Sequence, residues 1–410
     1  MEKLISSTHF EITNGENILY LNQKANEAKA RGEKVINGTV GMLFNEEGHV
    51  VEFPLVNKAI ESSTDESIKK YGLISGSKEF SSSIMDWLFS SIDYSYLHHS
   101  LISTFGATGA LALSIRNYTD RGQGVLLPSV RWSNYDSICE QAGASVSIYN
   151  LFDKNNKFDI DSLEDKVNES IDKWGRVFLL INDPCQNPTG YTLENDDWDG
   201  ILNVLVKASK KAPIVLLDDI AYLNYSKKSY DPIFNKILKS LNDNFMVIFA
   251  FSASKTLSIY GLRGGAAICF STSKGAVNDF TTCMEETARS VWSAPNNIAC
   301  RVIEENFKTK ENREYIRSKL DEYRNLLIER EEIFAKEAKE VDLKYYPYES
   351  GFYVLIPCKN NKEVVDELIK KNIFVVPLSD GIRVALSCLK KDEIVGLAKN
   401  IKDAMTIINR

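Results

Sequence analysis

The 410-residue chain has no Cys-x-x-Cys pair and no cysteine–histidine cluster at metal-ligand spacing, which excludes a zinc finger or comparable local metal site. Its seven cysteines are scattered at 139, 185, 269, 283, 300, 358 and 388, and they read as reduced, mostly buried thiols. No Lys/Arg-dense patch interleaved with aromatics is present, and a net charge of -7 with a pI near 5.4 gives no footprint for nucleic acid. The expected partner is a small molecule. No run approaches the roughly 18 apolar residues of a membrane span, and the start lacks a basic segment followed by a long apolar one. No membrane partner is therefore expected, and a cytoplasmic location is. The only histidines, at 9, 49, 98 and 99, fall outside the motifs described below and are assigned no catalytic role.

What is present is enough apolar sequence, 44% of residues, to fill real cores in about two or three domains on a length prior. Short Val/Ile/Leu-rich runs ("GVLLP", "ASVSIYN", "RVFLLIND", "APIVLLDD", "FMVIFAFS", "GAAICF") alternate with helix-length amphipathic stretches. Runs buried on both faces and separated in this way predict an α/β fold with a largely parallel sheet covered by helices. From about residue 308 a charge-dense segment has apolar residues at helical spacing, its charges read as a solvated face. Strand-like "SGFYVLIP", helix-like "NKEVVDELIKKN", strand-like "IFVVP" and "GIRVALSC", and a final helix over roughly 391 to 409 follow, which predicts a second, smaller α/β domain.

In open parallel sheets, working groups gather in the loops after the strands. Asn182, Asp183 and Asn187 follow "VFLLI", Asp218 and Asp219 end "IVLL", and Lys255 follows "VIFAFSAS". The turn "GATGAL", opening a helix, has free N–H groups and a dipole that suit a phosphate. It lacks the Gly-Lys-Ser/Thr ending of a nucleoside-triphosphate loop and the spacing of a dinucleotide fingerprint, so it reads equally as a simple helix start. A lysine amine forms an imine with a carbonyl when desolvated or set near other cations, and Lys255 has Arg263 eight positions on. A carboxylate at a strand end, such as Asp219, can keep a ring nitrogen protonated. Asn187-Pro188-Thr189-Gly190 reads equally as an ordinary turn.

Together, "NPTG" at 187–190, "DIAY" at 219–222, "SASK" at 252–255 with Arg263 after it, and "GIRVALS" at 381–387 resemble the class I/II aminotransferases of pyridoxal-phosphate fold type I. The resemblance runs from about Val35 to Leu389. It implies a large cofactor-binding domain, residues 51–307, built on a mostly parallel seven-stranded-type sheet, and a smaller α/β domain from both chain ends, 1–50 and 308–410. It further implies that Lys255 holds pyridoxal 5'-phosphate and that Asp219 pairs with the ring nitrogen. Tyr222 and Asn187 would bond the phenolic oxygen, and Ser252, Arg263 and the Ala107–Thr108 turn would hold the phosphate. "PSVRWSNY" resembles the segment whose ring stacks on the cofactor, here Trp132, and "YGLISGSKEF" the one that sends a tyrosine, here Tyr71, to the neighbouring subunit's phosphate. A homodimer with shared active sites follows from that likeness.

Arg383 resembles the arginine that binds the substrate α-carboxylate, for which a planar fork is better suited than lysine. "ARSVWSAPNN" resembles the segment that brings an arginine, here Arg289, across the dimer to a distal carboxylate in the aspartate-using subgroup; Trp292 departs from that pattern. "VINGTVGMLFNEEGHV" resembles the substrate-facing loop, with Thr39 and Val40 near the bound amino acid. The activity implied is ping-pong transfer of an amino group from an L-amino acid, aspartate, glutamate or aromatic, to a 2-oxo acid such as 2-oxoglutarate. Two alternatives remain at this point. One is a C–S lyase or decarboxylase on the same fold. The other is a ligand-sensing regulator, which needs a DNA-binding domain that the acidic chain does not suggest.

Overall fold

The computed structural model describes residues 18–63 and 69–408; the first seventeen residues and the end of the expected last helix, at 409, lie outside the described residues. Strand β1 (Ile36–Asn37) precedes a seven-stranded sheet formed by β2 (His98–Phe105), β3 (Gly124–Pro128), β4 (Ser145–Tyr149), β5 (Val177–Asn182), β6 (Ile214–Asp219), β7 (Phe245–Ser252) and β8 (Gly264–Ser271). Four more strands follow: β9 (Tyr353–Ile356), β10 (Ile373–Phe374), β11 (Val376–Leu378) and β12 (Gly381–Ala385).

The large sheet runs β2-β8-β7-β6-β5-β3-β4. It is parallel from β4 to β7, while β8 is antiparallel to both β7 and β2. Alternate side chains supply two separate cores. Leu126, Leu179, Leu216, Val247 and Phe249 face one, and Leu127, Phe178, Leu180, Leu217, Ile248 and Ala250 face the other. Each of these Leu, Val, Ile and Phe side chains, fully buried, contributes about 1.5–3 kcal/mol of transfer free energy, and helices on both faces make that burial possible. Because β4 lies on one side of β3 and β5 on the other, the strand order reverses there, and a crevice opens at the strands' C-terminal ends.

The remaining strands form an antiparallel β11-β12-β9 sheet and a parallel β1-β10 pair. "IFVVP" is therefore two short strands around Val375 rather than one. The expected C-terminal helix is likewise broken into Lys391–Ile394 and Leu397–Ile408, with Gly396 between them at φ 86° in the left-handed region. The charge-dense segment is a single helix, Lys310–Glu340, with Ile316, Leu320, Tyr323, Leu327 and Phe334 buried. Not all its charges are solvated: Arg330 is fully buried. Its guanidinium donates to Glu46 Oε1 at 2.7 Å and to the Phe44 and Ser387 carbonyls at 2.9 Å each.

Candidate active site

Three adjacent parallel strands end in the polar residues Asn182, Asp219 and Ser252, all on the face of the second core. Asn182 and Asp219 are register partners. The Asn182 amide nitrogen donates to the Asp219 carbonyl at 2.8 Å, and its oxygen accepts from the Asn187 N–H at 2.8 Å, so this one side chain joins two neighbouring loops. The Asp219 carboxylate is buried; it accepts from the Tyr135 hydroxyl at 2.8 Å and from the Ala221 N–H at 3.1 Å. Burial pushes its pKa up to about 6, against the pull of those two donors and of the Lys255 charge.

Lys255 stands on the short helical turn Ala253–Thr256 that continues β7. Its Nζ donates to the Gly41 carbonyl at 2.6 Å and lies 5.2, 4.9 and 5.4 Å from the ring centres of Tyr222, Tyr260 and Phe352. Desolvation, then the charges of Arg263 and Arg383, lower its pKa to about 7, and Asp219 only partly offsets them. The amine is thereby a usable nucleophile and base near neutrality. Between about 7 and the ordinary lysine value of 10.5, the unfolded chain holds a proton that the folded chain has released. Stability of the cofactor-free protein is therefore expected to rise with pH across that window from this group, and Lys255→Met should remove that part of the slope in denaturant titrations. An unchanged slope would contradict the buried, neutral amine.

Opposite the lysine, the helix Gly106–Tyr118 begins with no acidic residue in its first turn and no side-chain cap, and Ala107 and Thr108 line the cavity at its positive end. Arg263 closes this corner: its Nη1 donates to Ser254 Oγ at 3.0 Å and to the Tyr260 carbonyl at 3.1 Å. Two glycines permit the approach. A Cβ on Gly265 would strike the Gly106 backbone, and one on Gly106, which is at φ 67°, would lie 2.9 Å from Arg263 Nη2. Helix N-terminus, guanidinium and the hydroxyls of Ser252 and Ser254 together suit a phosphate.

Arg383 rises from β12 on the far side. It is buried; Nη2 donates to the Thr39 carbonyl at 2.9 Å and Nη1 reaches Asn187 Oδ1 at 3.4 Å. No carboxylate among the described residues pairs with it, and its Nε is buried without a partner. A buried cation lacking a counter-ion is costly, so this one is suited to a carboxylate from outside the chain.

One cavity of about 260 Å³ gathers Val40, Ala107, Thr108, Trp132, Asn187, Asp219, Tyr222, Ser252, Lys255, Arg263 and Arg383, with Thr39 just beneath at its carbonyl. A larger groove of about 460 Å³ near Arg317 and Arg324 also carries amines and carboxylates, Lys227, Lys228, Asp231 and Asp321, but none of these is buried. Of the strand-end residues, Asp183 and Asp218 do not line the cavity: Asp183 accepts from Leu193 N–H and Trp198 Nε1–H, and Asp218 from the Tyr230 hydroxyl. Two residues named from the family resemblance are not brought in either. Arg289, in the last turn of the helix Lys274–Val291, is exposed, and Tyr71 is 93% exposed beside Ala294 and Pro295. Sequence reasoning marked Asn182 only as a strand-end polar residue and gave no role to Tyr135, Ser254, Tyr260 or Tyr353, and all five line the cavity. Tyr135 was within reach of the pattern: it sits one helical turn after Trp132, and the two rings meet edge to face at 5.3 Å.

The site fits pyridoxal phosphate on its own chemistry: a depressed amine for the aldehyde, a buried carboxylate, and a cationic, hydroxyl-rich helix start for the phosphate. A family model for aminotransferase class I and II matches residues 33–401. The aspartate aminotransferase of Pseudomonas aeruginosa is 25% identical over 398 residues, 94% of this chain and 96% of that one. An aminotransferase crystal structure from Anaerococcus prevotii superposes with a TM-score of 0.92 at 30% identity, covering 98% of this chain and 99% of that chain. For the fold alone, the aromatic-amino-acid aminotransferase of Burkholderia pseudomallei, described as covalently bound to pyridoxal phosphate, gives 0.80 at 21% identity over 98% and 100%. The buried lysine, the strand-end aspartate and these matches lead to one conclusion: the chain belongs to the class I and II aminotransferases, a family that works with pyridoxal phosphate.

Proposed function

We propose that this aminotransferase moves the amino group of an acidic or aromatic L-amino acid to a 2-oxo acid such as 2-oxoglutarate, from a site centred on Lys255. The observation that carries the reading is a desolvated amine with its pKa near 7, set between a buried carboxylate and a buried arginine that has no counter-ion among the described residues. In this reading Asp219, Tyr222 and Asn187 hold the cofactor ring, with Trp132 against its face. Ser252, Arg263, Ala107 and Thr108 hold its phosphate. Pyridoxal phosphate, when bound, supplies an electron sink for the pair left behind when the α-proton departs. The chain's own part is to bind and orient. Arg383 grips the α-carboxylate with Thr39 and Val40 alongside, and so aims the Cα–H bond at Lys255 Nζ, which would take the proton from Cα and deliver it to the cofactor's aldehyde carbon. Asp219 keeps a proton at the ring nitrogen.

Tyr71, Leu73 and Val291, respectively 93%, 67% and 57% exposed, are large apolar side chains on the surface. They support a homodimer in which Tyr71 and Arg289 act at the partner's site. The reading also divides the chain into 51–307 and 1–50 with 308–410. In its support, the seven-stranded sheet falls within 98–271, and β1 pairs with β10 across the two chain ends. No helix among the described residues is long and apolar enough to cross a membrane. All seven cysteines are free, which supports a reducing, cytoplasmic setting.

The direct test gives the purified holoprotein one amino acid and no oxo acid. Stoichiometric conversion to the pyridoxamine form with release of the matching oxo acid is expected; ammonia and pyruvate from cysteine conjugates would instead place the chain among lyases. For Arg289→Ala, kcat/KM with aspartate or glutamate is expected to fall about 10- to 100-fold, the worth of one charged hydrogen-bonded contact. Aromatic donors should change by less than about threefold, within the range of an exposed ion pair. An unchanged donor profile would remove the acidic preference.

A further inference from the structure

Tyr353 belongs to none of the motifs, yet it touches more of the site's polar groups than its place in the sequence suggests. Strand register puts it opposite Ala385, two residues past Arg383. Its ring centre lies 4.5 Å from the Arg383 guanidinium carbon, and its hydroxyl is 3.0 Å from the hydroxyl of Tyr222. Its space is reserved: a Cβ on Gly41 would collide with the Tyr353 hydroxyl, and the Gly41 carbonyl is the one that accepts from Lys255.

We propose that Tyr353 is a positioning residue that couples carboxylate binding at Arg383 to the hydrogen bond offered by Tyr222. The proposal rests on the roles given above to Arg383 and Tyr222. Two phenols 3.0 Å apart share one proton in their mutual bond, so one donates and the other accepts. Burial raises the pKa of both, but the Arg383 charge pulls Tyr353 back down more directly, which makes Tyr353 the better acid and hence the donor. Tyr222 then keeps its own proton for the cofactor oxygen, strengthened by the donation it receives. A carboxylate arriving at Arg383 neutralises the charge against the Tyr353 ring, weakens that donation and so loosens the grip of Tyr222. The charged and titratable groups facing the pair are Arg383, Lys255, Asp219, Tyr135, Tyr260 and Cys388.

The test follows the absorbance of the bound cofactor against pH, with and without maleate, a dicarboxylate that has no amino group. In Tyr353→Phe, which keeps the ring and the packing, the titration midpoint should move in the same direction as in Tyr222→Phe, by about 0.3 pH unit or more. The double variant should match Tyr222→Phe alone. Maleate affinity should be retained in Tyr353→Phe and fall about three- to tenfold in Tyr353→Leu, which loses the cation–π face. A Tyr353→Phe midpoint equal to that of the unaltered protein, additive shifts in the double variant, or full maleate affinity in Tyr353→Leu would overturn the coupling alone. A cofactor that borohydride does not fix to Lys255 would overturn the underlying reading and this proposal together.

Discussion

Replacing Lys255 by alanine is expected to lower turnover by at least about 10⁴-fold, because one change removes both the covalent attachment and the proton carrier. Borohydride reduction followed by peptide mass spectrometry should then find no cofactor mass on the 251–265 stretch, where the unaltered protein carries it. The fold should survive. Among the described residues the amine makes a single hydrogen bond, to the Gly41 carbonyl, and its pKa near 7 reflects that its charge is disfavoured where it lies. Deleting a group held at such a cost leaves the melting temperature of the cofactor-free protein level or slightly raised. Retained turnover, or a labelled peptide elsewhere, would remove Lys255 from the centre of the mechanism.

Asp219→Asn is expected to have the second largest effect. At about 3 Å and an effective dielectric of about 20, a carboxylate and a protonated ring nitrogen attract by about 5 kcal/mol before desolvation. Losing most of that corresponds to a fall in kcat of about 10³- to 10⁴-fold. Asparagine fills the same volume, and its side chain can still take the Tyr135 hydroxyl or the Ala221 N–H, so the strand end should hold its shape. Cofactor affinity, measured by equilibrium dialysis, should weaken along with rate. Turnover within about tenfold of the unaltered protein would mean that the ring nitrogen does not need this charge.

Much of this architecture could be read from the chain because local rules agree with the global arrangement. All six apolar runs are strands, five of them buried on both faces and the edge strand β4 half exposed, and the residues that end three of them, Asn182, Asp219 and Ser252, are placed at one rim by the parallel direction of β5, β6 and β7. What stayed hidden depends on pairing between distant segments. Tyr353 reaches Tyr222 from 131 residues away, and Tyr135 reaches Asp219 from 84. No short window carries either relation. Arg289 and Tyr71 have the opposite character: their motifs are readable, but in one chain both are exposed and neither lines the cavity. The long helix shows a rule overridden. Position 330 falls on the same stripe as Leu320, Leu327 and Phe334, so spacing marks it as inward. Arginine chemistry suggested solvent only because its partner Glu46 lies 284 residues upstream.

That concealed guanidinium has a reach beyond its own neighbourhood. By clasping Glu46 and the Phe44 and Ser387 carbonyls, it ties the strip bearing residues 39–43 to the strip bearing 383–387, and those two strips supply the Gly41 oxygen and the Arg383 fork. A lesion at 330 would therefore masquerade as a defect in substrate capture, although the altered atom never meets the substrate.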